Sequence, residues 1–118
     1  MLADDAITAL WTDLIAQMGL EVVYTRGLDV VPLTAVPGST THVGDDQAAT
    51  STDRESIDWL VLAADLVLDG ELVEPKTGDA ISHNGLVYRV SYSDFQRCWD
   101  WVGQARKVYR IHAHLSPS

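Results

Sequence analysis

Between Asp4 and Gly19 the apolar side chains return at Ile7, Leu10, Trp11, Leu14, Ile15 and Met18. That spacing is one face of an α-helix, and it predicts a helix over residues 5–18. Asp4 or Asp5 can cap its start, and Gly19 suits the left-handed residue that ends it. The stripe covers one side of a core, or part of it, Trp11 included, docks on a neighbour.

After Gly19 the period shortens. "EVVYTRG" and "VVPLTAV" are rich in β-branched residues and are joined by Gly27-Leu28-Asp29, a turn signal. Pro32 points to an edge strand or a bulge. Residues 37–56, "PGSTTHVGDDQAATSTDRES", carry no large apolar residue and no period. A polar stretch of this length inside a small domain is functional or disordered as a rule. We expect it to order on a partner, and we name His42, Asp45, Asp46, Asp53, Arg54 and Glu55 as its contact residues.

Residues 57–63 read as a central strand, apolar on both faces, and "AADLVLDG" leaves the sheet by a turn or bulge. In "EPKTGDAISHNGLVYRV", Asn84-Gly85 favours a two-residue type I′ turn, because both central residues need positive φ. That turn pairs residues 80–83 with 86–89 and puts Leu86, Tyr88 and Val90 on one face. Pro75 and Gly78 turn the chain in, and Asp79 can bond nearby backbone. "QRCWDWV" sets Trp99 and Trp101 on one face and Cys98 and Asp100 on the other. "KVYRIHAHL" sets Tyr109, Ile111, Ala113 and Leu115 opposite Val108, Arg110, His112 and His114. Six or seven short strands with one helix make a mainly β fold, a small barrel or sandwich. The 118 residues are one domain's worth, with helix 5–18, long loop 37–56 and strand-rich body 57–115.

Charge narrows the function. The net charge is −9, with fifteen acidic and three basic residues before position 86 and five basic and two acidic after it. Overall acidity argues against wrapping nucleic acid, which needs clustered cations. The uneven distribution fits head-to-tail contact, acidic patch to basic patch, with Arg106, Lys107 and Arg110 on the basic side. No apolar run is long enough to span a membrane. A single cysteine, Cys98, and an acidic N-terminus read as an intracellular chain.

Candidate chemistry is thin. His112 and His114 form an H-x-H pair, but a zinc site needs a third and usually a fourth ligand, so two half-exposed strand histidines are expected. Cys98 has no helix N-terminus beside it and reads as a plain thiol. The acidic residues of the loop miss the EF-hand spacing, and no P-loop or H-E-x-x-H is present. We expect no catalytic set, no metal and no cofactor. Three of the four Trp sit on predicted core-facing positions, and packing rather than a ligand pocket is expected of them.

The order of motifs from Val22 to His112 resembles the small head-completion proteins of tailed bacteriophages, also called head–tail joining or head-closure (stopper) proteins. The likeness runs through "VVYTRG", "VPLTAVPG", a long polar loop and "DWLVLAADLVLDGELVEPKTGD". It continues through the hairpin and the strands "CWDWV" and "VYRIHAHL". Its specific element is Pro75-x-x-Gly78-Asp79-x-Ile81 followed by Gly85-x-x-Tyr88-x-Val90. The N-terminal helix is longer than that family leads one to expect. The resemblance implies a β-barrel subunit of a ring in the virion, between a portal or adaptor protein and a tail protein. Such a ring retains packaged DNA, presents the tail attachment surface and forms in the host cytoplasm. Two other readings stay open: a tail terminator or minor tail protein, and a cytosolic β-barrel that binds a ligand or peptide.

Overall fold

The computed structural model describes residues 2–39, 56–91, 97–103 and 105–116. The loop contact residues His42, Asp45, Asp46, Asp53, Arg54 and Glu55 therefore lie outside the described residues. Helix α1 spans Leu2–Met18. It begins before the predicted start, so Asp4 and Asp5 lie within it rather than capping it. Gly19 accepts no left-handed role, because its φ is not positive. A Cβ there would run into the Ile15 carbonyl and the Thr34 methyl. Close approach of the chain end of α1 to the sheet is what demands glycine.

Among the described residues nine strands follow: β1 Leu20–Arg26, β2 Asp29–Ser39, β3 Ser56–Leu62, β4 Val67–Leu68, β5 Glu71–Leu72, β6 Ala80–His83, β7 Leu86–Val90, β8 Trp99–Trp101 and β9 Val108–Leu115. Strands β3, β2, β1, β6, β7 and β9 pair in that order, and β9 pairs back to β3, closing a six-strand antiparallel barrel. Closure removes the exposed edges that an open sheet would offer. Strand β8 shares an edge of β9 with β7: β7 takes Ala113–Leu115 and β8 takes Tyr109–Ile111. The fold is mainly β as expected, and of the two expected architectures, barrel or sandwich, it is the barrel, with one α-helix among the described residues.

The turns follow their residues. Arg26 pairs with Asp29 around Gly27-Leu28, with Gly27 at φ 61°. His83 pairs with Leu86 around Asn84 (φ 54°) and Gly85 (φ 83°), the expected I′ geometry. Strand β3 joins β2 only at Ala35–Ser39, so β2 has no described partner on that side at Pro32. A residue without an N–H is tolerated there. The same pairing corrects the expected loop boundary: Pro37, Gly38 and Ser39 sit opposite Trp59, Asp58 and Ile57, inside the sheet.

Between β3 and β6 the chain makes a 3₁₀ turn at Ala63–Asp65 and then the small ribbon β4–β5 around Asp69-Gly70. The sequence predicts only a turn or bulge out of the sheet here. Its Leu66 and Leu68 instead close one end of the core and are almost fully buried. Most of the rest of the core comes from alternate residues of the barrel strands, Val22, Tyr24, Leu33, Ala35, Trp59, Val61, Ile81, Tyr88, Val90, Tyr109, Ile111 and Ala113, joined by Trp99 of β8 and Ile15 of α1. Trp59 meets Tyr88 edge to face at 5.5 Å, and Trp99, Trp101 and Tyr109 form a second aromatic group with centroids 4.8–5.1 Å apart. Each such pair adds about 0.5–1.5 kcal/mol beyond burial. Trp59 and Trp99 pack the interior as expected; Trp11 and Trp101 are half-buried.

Candidate assembly surface

Two polar clusters are distinct from the surface. The first is centred on Asp79, which is 2% exposed. Arg26 holds it with Nε at 2.9 Å from Oδ1 and Nη2 at 2.9 Å from Oδ2. The Tyr24 hydroxyl and the Lys76 backbone N–H also donate to Oδ2. Arg26 donates a further bond to the Glu74 carbonyl at 2.7 Å. Burial, followed by the bond to Asp79, pushes the Tyr24 hydroxyl far above its ordinary range, so it stays a donor. The cluster ties the loop 74–79 to β1. Gly78, at φ 100°, lets the loop turn so that its N–H reaches Val90 O at 2.9 Å. The motif Pro75, Gly78, Asp79 is therefore a brace, and the expected local bond from Asp79 is one strut of it.

The second cluster corrects the histidine expectation. His112 is 7% exposed, not half-exposed, and lies between two carboxylates on two different strands. Its Nδ1 is 2.9 Å from Asp58 of β3, and its Nε2 is 3.3 Å from Asp100 of β8. Only the imidazolium offers an N–H on both nitrogens. The bond to Asp58 raises the His112 pKa most, burial opposes it, and Asp100 adds to the rise. Arg110 reaches Asp58 at 3.7 Å, and Arg97 reaches Asp100 at 3.7 Å. Both ring nitrogens are taken, on opposite sides, so His112 and His114 do not share a cation. Among the described residues no group of three or more His, Cys, Asp or Glu is arranged around a metal position. Cys98 is half-buried, with Sγ 3.9 Å from the Pro75 carbonyl. His83 is half-buried beside Trp59, with Nδ1 3.2 Å from the Glu21 carbonyl.

The surface itself is organised by α1, which lies across β2 and β3. Its apolar residues spread over about 140° of the helix at ~100° per residue, wider than the side the barrel covers. Ile15 is 2% exposed, while Leu10, Leu14 and Met18 are 67%, 38% and 60% exposed. The expected stripe is thus divided: Ile15 belongs to the core, and Leu10, Leu14 and Met18 form an outward ridge. Trp11 stands between, half-buried.

On the other flank of α1 is a groove of about 430 Å³. Thr8 and Thr12 form its helix wall, and Leu62, Ala63, Ala64 and Leu72 line it with Tyr109. Arg106 and Lys107, in the turn before β9, reach it as well. The structure brings these two predicted residues together and leaves the third, Arg110, on the outer face of β9 with Asp58. Arg106 holds a left-handed φ of 57° in that turn. The ridge and the groove were not separable in the sequence, because helix period does not say which arc meets the sheet.

No helix among the described residues is long and apolar enough to cross a membrane. Comparison with curated proteins and with solved structures finds no match. A family model described as "Phage head-tail joining protein" matches residues 1–118, the whole chain. The match agrees with the motif order and with the barrel. It carries a structural role in the virion, at the joint between head and tail. The chain belongs to the phage head–tail joining protein family.

Proposed function

We propose that the chain assembles as a ring at the head–tail joint, closes the DNA-filled capsid and presents the surface to which the tail attaches. The observation that carries this is the uncovered row Leu10, Leu14 and Met18 on α1. Contiguous exposed apolar residues of this kind mark interaction sites. The partners in this reading are further copies of the chain, a portal or adaptor protein on the head side and a tail protein on the other. The contacts fall on the polar segment with His42, Asp45, Asp46, Asp53, Arg54 and Glu55, on the Trp11 side of α1, and on Arg106, Lys107 and Arg110. DNA passes without specific binding, and a net charge of −9 suits a wall that repels phosphate. No catalytic step belongs to the reading.

The test is electron microscopy of the purified chain with filled, tailless heads. Density at the portal vertex is expected. Density on isolated tails instead would move the chain to the tail side, and density on neither would overturn the reading. Deleting residues 40–54 is expected to leave the melting curve intact while heads and tails fail to join. Infectious particles from that variant would remove the segment from the mechanism.

A further inference from the structure

The ridge and the groove lie on opposite flanks of one helix. Leu10 and Leu14 point roughly 160° away from Thr12, which walls the groove. Asp13 is exposed beside the ridge. Arg106 and Lys107 stand at the groove with Asp65, so its charged lining is net positive in a chain of net charge −9. Neither cation is ion-paired among the described residues.

From this arrangement we infer that successive copies join head to tail through α1, the ridge of one copy entering the groove of the next. Leu10 and Leu14 meet the lining formed by Leu62, Ala63, Ala64 and Leu72, and Asp13 meets Arg106 and Lys107. The sizes agree: a cavity of about 150 Å³ holds a benzene ring, and this groove, at about 430 Å³, has room for two leucine side chains. The charges agree, since an acidic flank meets a basic one. The topology agrees too. A contact between two different patches is heterologous, and repeating it yields a ring when the rotation closes. The inference rests on the ring proposed above and names the surfaces that would build it.

Paired cysteines test the contact. In a Cys98→Ser background, Leu14→Cys and Ala64→Cys are made singly and together; both positions are solvent-exposed. Oxidation is read on the purified chain at high concentration and on phage particles assembled with the variant. The double variant is expected to give a ladder of dimers, trimers and higher species, at least tenfold above either single variant. Dimers from Leu14→Cys alone would mean ridge against ridge and would overturn the contact. So would a double variant that is present in particles, or concentrated in solution, and gives no ladder. Incorporation into particles is measured separately by mass spectrometry. A ladder in solution with no chain in particles keeps the contact and removes the head–tail placement. A chain in particles without a ladder does the reverse.

Discussion

At the scale of single residues, two buried carboxylates do different work. Asp79 accepts from Tyr24, Arg26 and Lys76 at once. Replacing it with Ala orphans the buried Tyr24 hydroxyl and frees the 74–79 loop. We expect Asp79→Ala to cost on the order of 3 kcal/mol, read from denaturant melts. Asp79→Asn should cost less, since the amide keeps one acceptor. Asp58 works through His112. The His112 pKa is raised above 6.5 in the folded chain, so its protonation favours folding. That stability is fully present below pH 6.5 and is lost as pH rises through the folded-state value. The melting temperature should therefore fall as pH is taken from about 6 upward. His112→Gln should flatten that slope; an unchanged slope in the variant would sink the assignment.

At the scale of elements, the helix and the hairpins are held by different terms. Strand β8 has only three residues. Its ladder with β9 covers only three pairs, and the aromatic group and the Asp100–His112 contact add to it. Within α1 the two sides should respond differently. Ile15→Ala should cost about 2–5 kcal/mol, as for other buried aliphatic truncations, whereas Leu10→Ser should stay within about 0.5 kcal/mol in the monomer. If Leu10→Ser destabilised the isolated chain as much as Ile15→Ala, the ridge would be part of the core. Gly78→Ala tests the brace by backbone alone. At φ 100° an L-residue is strained, and a loss of roughly 1–2 kcal/mol is expected.

At the scale of the whole molecule, closure through β3 and β9 decides where stability concentrates. The two strands pair over seven positions, and β9 also binds β7 and β8. Among the described residues, amide exchange should be slowest in β3 and β9 and fast at the start of α1. The family was legible in the motif order, and residues 75–79 of that motif form the brace that ties the loop 74–79 to β1. His114 is half-exposed as expected, whereas His112 was misjudged because alternation puts it on the outer face but says nothing of what covers it. Asp58 lies 54 residues away and Asp100 12 residues away. Leu66 and Leu68 were missed as core, although Asp69-Gly70 was a hairpin signal in plain view.

Local chemistry alone determined the period of α1, the turns at Gly27-Leu28 and Asn84-Gly85, the alternation in β9 and the acidic character of the chain. Each depends on residues within a few positions of one another. Only the tertiary structure decided that the sheet closes, that Tyr24, Arg26 and Asp79 converge, that His112 bridges two carboxylates, and that the helix stripe divides into core and ridge. Those are pairings between distant segments, set by which faces meet when the apolar surface leaves water. A one-dimensional pattern records a face but not its partner.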